Sequence, residues 1–96
     1  MYVRMVIGET FSAHQVAEFG SVYRNEIVPE ITQQPGFHAA RLIVEDGGTM
    51  AISLTEWNTR EDCLKYHSSR SYRQFVEKTR HLLIGDFVVK LFKEAT

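Results

Sequence analysis

Apolar residues along this chain recur with two different periods, and the switches between those periods lay out its elements. Tyr2 to Ile7 is rich in strand formers and reads as a first strand. Beyond it, apolar positions fall at Val16, Phe19, Val22, Tyr23, Ile27 and Ile31, the three-and-four spacing of an amphipathic helix with one buried stripe. Ser12 stands where a hydroxyl would cap that helix, with Gln15 as its partner three residues on. Pro29 lacks a backbone donor, which predicts a kink or a tightened last turn. Pro35-Gly36 ends the element. Phe37 to Glu45 and Thr49 to Trp57 form a second and third strand, joined by a hairpin turn at Asp46-Gly47-Gly48. Thr59 with Asp62 opens another helix. Ser68-Ser69 interrupts it before Tyr72, Phe75 and Val76 resume the helical pattern. Gly85 can close the last helix, and Phe87 to Phe92 is the final strand.

The order β-α-β-β-α-α-β is the split βαβ, or ferredoxin-like, plan: an antiparallel four-stranded sheet with helices on one face. Each strand must then present two different faces. The more uniformly apolar sets are Val3, Met5 and Ile7; His38, Ala40, Leu42 and Val44; and Met50, Ile52 and Leu54. These are expected beneath the helices. The opposite face would carry Val6, Phe37, Ile43, Trp57 and Phe92 among Arg4, Arg41, Ser53, Thr55 and Lys90. That mixture is too apolar to face water and too polar for an ordinary core. A second copy covering it, with a partly polar cavity between the sheets, fits both properties.

Ninety-six residues make a single domain, 1–96, with no room for a second core. A formal net charge of −1 gives no electrostatic reason to expect nucleic acid or an anionic membrane as partner. No apolar run is long enough to cross a bilayer. A single cysteine, Cys63, excludes an intrachain disulfide and suits a reducing compartment, so the cytoplasm is the expected location.

Candidate chemistry gathers between Ile52 and Phe75. Trp57 ends a strand just before a helix begins, where its indole could stack on a planar substrate or pack a dimer interface. His67 titrates near neutral pH and could remove a phenolic proton, unless it is merely an exposed helix-end residue. Cys63 and His67 are four apart, a spacing that can offer two metal ligands, but no third or fourth follows and no metal is expected. Arg41 could hold an oxyanion or form a surface salt bridge. Ser53, Thr55 and Trp57 alternate onto one face, so the expected pocket has Trp57 as a wall and Arg41 and Ser53 on its floor. Phe37 lies on that same face, and His67 or Tyr72 supplies the polar end. Glu61 and Asp62 diverge on a helix and make no acid-base pair, and Gly47-Gly48 belongs to a hairpin rather than a phosphate-cradling loop.

The element order, the Pro35-Gly36-Phe37 join, the Thr55-Glu56-Trp57 strand end and the Tyr66-His67-Ser68-Ser69 junction together resemble the antibiotic biosynthesis monooxygenase domains. The resemblance covers nearly the whole chain and implies a dimeric α+β barrel. It also implies a cofactor-independent monooxygenase of a small electron-rich aromatic, a quinol or polyketide phenol, because a deprotonated substrate of that kind can itself pass an electron to oxygen. The alternative is a non-catalytic dimeric small-molecule binder or stress-associated barrel. The polyketide branch resembled here places an Asn four residues before the Trp and a Tyr six after it; Ser53 and Cys63 stand there instead. The heme-degrading branch uses a His in the last helix and an Asn on the first strand. Val76 and a residue near Met5 stand at those positions, so no heme is expected.

Overall fold

A computed structural model describes residues Met1–Thr96. Strands β1 (Tyr2–Glu9), β2 (Phe37–Val44), β3 (Met50–Trp57) and β4 (Val88–Lys93) form one antiparallel sheet in the order β2-β3-β1-β4. Helices α1 (Ala13–Val22), α2 (Val28–Ile31), α3 (Arg60–His67) and α4 (Arg70–Thr79) lie over one face. This is the α+β ferredoxin-like fold that the element order predicts. The caps are those expected: the hydroxyls of Ser12, Thr59 and Ser69 accept from the N–H groups of Gln15, Asp62 and Tyr72. The hairpin turns at Gly47, whose φ of 72° favours glycine. No helix is long and apolar enough to cross a membrane.

Around Pro29 the helix widens rather than tightens. Residues Tyr23–Ile27 form a π turn, and the N–H of Val28 reaches the carbonyl of Tyr23. A proline ring collides with the carbonyl four residues back, and a wider turn just ahead of it moves that carbonyl aside. The widening also aligns side chains. In a straight α-helix a four-residue step advances about 40° around the axis. Phe19, Tyr23, Ile27 and Ile31 would therefore spiral away from the sheet, yet all four are buried.

The strand faces differ from expectation. In β1 and β3 it is Arg4 and Val6, and Ala51, Ser53, Thr55 and Trp57, that lie buried beneath the helices. Val3, Met5, Ile7, Met50, Ile52 and Leu54 take the helix-free face. The helices carry polar groups of their own, so an inner face with hydroxyls on it can be satisfied from above. In β2, Ala40 and Leu42 pack against the core as predicted. An irregularity between Phe37 and Ala39 turns Phe37 inward too, its ring centroid 5.8 Å from that of Trp57. Gly36, at φ 77°, holds this join against α3. A Cβ there would come within 2.1 Å of the Asp62 carboxylate.

Candidate active site

Arg4 lies at the centre of the inner face, 1% exposed. No carboxylate reaches it: the ion pairs of the molecule involve the N-terminus, Lys78, Arg80 and His81. Its guanidinium lies over the Tyr72 ring at 4.1 Å from the centroid and near the Tyr66 ring at 5.4 Å. One terminal nitrogen donates to Nδ1 of His67 at 3.1 Å, and Nε has no partner. Cation–π contact offsets part of the cost of burying such a charge, and a neutral imidazole offsets a little more. The charge itself is left without an anion.

Aromatic rings enclose this cation. Trp57 stacks on Tyr66 at 5.1 Å, Tyr66 tilts against Tyr72 at 5.8 Å, and His67 stacks on Tyr72 at 5.4 Å. The indole N–H of Trp57 donates to Oγ1 of Thr55 at 2.9 Å, while the Tyr66 hydroxyl is buried without a partner. Tyr23 shares a 2.7 Å hydrogen bond with Ser53. Burial pushes the phenols of Tyr23 and Tyr66 up, and the Arg4 charge pulls each back only partly. Both are therefore neutral hydroxyls at physiological pH. Burial also raises the Cys63 thiol, so it is no reactive thiolate. No group of three or more His, Cys, Asp or Glu side chains is arranged to hold a metal.

His67 is exposed at the end of α3, but its Nδ1 points inward to Arg4. Because the guanidinium can only donate, Nδ1 accepts and the neutral ring carries its proton on Nε2. The lone pair that a general base would use is thus committed to Arg4. Desolvation, then the Arg4 charge, hold His67 below its ordinary value of 6.5. In the window below that value the unfolded chain binds the proton more readily, so stability is lost as pH falls through it. Thermal midpoints of His67→Gln should decline less steeply than wild type between neutral and mildly acidic pH. Parallel curves would show that this imidazole carries no such linkage.

A groove of about 630 Å³ runs between α1 and β2, lined by Val16, Ala17, Gly20, Tyr23, Ala40 and Leu42 among others. Small residues leave the space: Ala17 and Gly20 on the helix, Ala40 on the strand. Tyr23 belongs to both regions, its ring on the groove and its hydroxyl on Ser53. The π turn that begins at Tyr23 sets this placement.

Of the residues singled out from sequence, Trp57, Ser53, Tyr72, His67 and Phe37 come together on the helix side. Arg41 does not. It pairs with Leu54 on the opposite face and is exposed, because the irregularity at Phe37 reverses which β2 side chains accompany Trp57. Sequence reasoning missed Arg4, Tyr23 and Tyr66. A lone arginine in an otherwise apolar strand was the available signal for Arg4. Tyr23 and Tyr66 were hidden among the apolar stripes of their helices.

The sequence pattern of antibiotic biosynthesis monooxygenases matches residues 3–78. The chain belongs to that family. Solved structures of similar fold include a monooxygenase from the gene ActVA-Orf6 of Streptomyces coelicolor, in complex with nanaomycin D. It has a TM-score of 0.88 at 14% identity, over 99% of this chain and 88% of that one. SnoaB, a cofactor-independent oxygenase from Streptomyces nogalater, superposes with a TM-score of 0.78 at 21% identity, over 99% and 94%. Rv0793 from Mycobacterium tuberculosis gives 0.73 at 14% identity, over the full length of both chains. No curated protein matches this antibiotic biosynthesis monooxygenase family member significantly in sequence. At these identities the likeness establishes the fold, and the chemistry must be argued from the residues present.

Proposed function

We propose that this family member is a cofactor-independent monooxygenase of a small electron-rich aromatic, a quinol or polyketide phenol. The observation that carries the reading is the position of Tyr23. Its ring lines an apolar groove within the usual size of a ligand pocket, and its neutral hydroxyl meets Ser53 in the interior. A planar substrate that passes from that groove to where Tyr23 meets Ser53 would find there a hydrogen-bond donor that favours the deprotonated ring. That ring is the reductant and dioxygen the oxidant. For an anthrone the ring CH₂ becomes C=O, and the second oxygen atom leaves as water. The protein binds, excludes water and stabilises negative charge. Family membership and an aromatic-lined interior both support this reading.

The test is oxygen uptake against a panel of quinols and anthrones. Tyr23→Phe, which keeps the ring and removes the donor, should lower turnover by about a hundredfold on the best substrate. An unchanged rate in the folded variant would remove Tyr23 from the mechanism. One observation favours a second reading, a non-catalytic binder: no cavity opens on Arg4, Trp57 or His67. Tight binding of the same aromatics with no oxygen consumed would decide for it.

We also propose that the chain acts as a homodimer, a dimeric α+β barrel joined through its helix-free sheet face. Met5, Ile7, Ile43, Ile52, Leu54 and Phe92 give that face an apolar character unusual for a solvated surface. Ile52→Lys would place a charge near the middle of the contact. Sedimentation should then show dimerisation weakened toward monomer, with the dimer dissociation constant raised about thirtyfold or more, equivalent to about 2 kcal/mol. A monomeric wild type at micromolar concentration would refute the dimer.

A further inference from the structure

We infer that Arg4 is a binding residue for an anionic oxygen carried on a planar ligand, and that the His67 imidazole holds that oxygen's place in the unliganded protein. Three observations carry this. The guanidinium is buried yet has no carboxylate partner, although this chain contains 12 acidic residues to choose from. Its Nε and the nearby Tyr66 hydroxyl are both buried without hydrogen-bond partners, so one cation and one donor are left unsatisfied together. The one polar group that does meet the guanidinium, Nδ1 of His67, belongs to an exposed side chain at the last position of α3. A group so placed can swing outward into water, giving up its stacking on Tyr72.

An oxyanion is the natural replacement. Guanidinium binds carboxylate and phenolate through paired, charge-assisted hydrogen bonds, stronger than one bond to a neutral imidazole. The flat faces of Tyr66 and Tyr72 beside the guanidinium favour a planar ligand over a tetrahedral one. The inference goes beyond the proposed oxygenase reading, since it seats an anion where His67 swings out at the end of α3 rather than in the groove beside Tyr23, and it stands whether or not the protein reacts.

The test uses wild-type protein, Arg4→Met and His67→Ala, with benzoate, 4-nitrophenol, neutral benzamide and inorganic phosphate as probes. Benzoate or 4-nitrophenolate should bind at least about tenfold more tightly than benzamide. Bound 4-nitrophenol should develop its phenolate absorbance at lower pH than free dye. Benzoate without 4-nitrophenolate binding would identify a carboxylate site, and the converse a phenolate site. Nitrogen NMR should show the His67 Nδ1 signal losing its hydrogen bond on ligand addition, a change independent of turnover. Arg4→Met should bind anion and amide alike. His67→Ala should bind the anion several-fold more tightly, since nothing need be displaced. Equal affinity for benzoate and benzamide in wild type, preference for phosphate, or weaker anion binding by His67→Ala would each overturn the proposal.

Discussion

Trp57→Ala is expected to lose about 3–5 kcal/mol of stability, the usual cost of truncating a fully buried large aromatic. Trp57 is 0% exposed, stacked on Tyr66 at 5.1 Å and edge-on to Phe37 at 5.8 Å. Its removal also strips the buried Thr55 hydroxyl of the indole donor. Domains of this size hold about 5–15 kcal/mol in total, so the variant would be left near the margin. Its thermal midpoint should fall by roughly 12 °C or more. The sequence suggests a stacking wall for a planar substrate; the burial of the indole predicts loss of stability on its removal. Circular dichroism must follow the transition, because the variant has no tryptophan left to fluoresce. Trp57→Phe should recover part of the loss, and an unchanged midpoint for Trp57→Ala would mean the cluster repacks freely.

The element order was legible because each boundary carries its own local chemistry. Ser12, Thr59 and Ser69 cap helices, and Pro35-Gly36 and Gly47 turn the chain, by interactions within a few residues. The assignment of strand faces depended on something longer in range. A rule that sends the most apolar strand face toward the helices assumes only one face needs covering. Here the inner face holds Arg4 and Ser53, tolerable because Tyr23, 30 residues from Ser53, and His67, 63 residues from Arg4, reach back to them. No local window contains both partners of such a pair. The uniformly apolar set therefore went to the outer face, where the proposed partner sheet would cover it.

The site was legible to the same extent. Trp57, Tyr72 and His67 were found because they cluster along one stretch of sequence. Strand alternation places Arg41 with Phe37, and the irregularity at Phe37 breaks that alternation. One inserted residue removes Arg41 from the face of the rings and leaves Arg4 as the arginine on it. The π turn acts likewise on Tyr23, turning a stripe residue into a wall shared by groove and interior.

Arg4→Met is expected to raise the thermal midpoint of the unliganded protein. Breaking an ion pair destabilises because the remaining charge is left buried alone; at Arg4 that situation already exists in the native protein. Replacing buried ions by apolar side chains of similar volume has stabilised other proteins by about 1–4 kcal/mol. Methionine fills comparable space and its sulfur packs well against the Tyr66 and Tyr72 rings. It leaves no unpaired Nε, and His67, being exposed, can bond to water in place of the guanidinium. The cation–π contacts forfeited oppose this by about 0.5–2 kcal/mol, so the gain should lie toward the lower part of the range. A domain of this length gains about 4–8 °C per kcal/mol, an easily measured shift. If Arg4 were there to hold the fold together, the midpoint would fall. The comparison becomes sharper with an anion present. At a benzoate concentration one hundred times its dissociation constant, binding adds about 2.7 kcal/mol to wild type and nothing to a variant that has lost the site. The order of stabilities should therefore reverse on adding benzoate, with Arg4→Met above wild type without it and below with it.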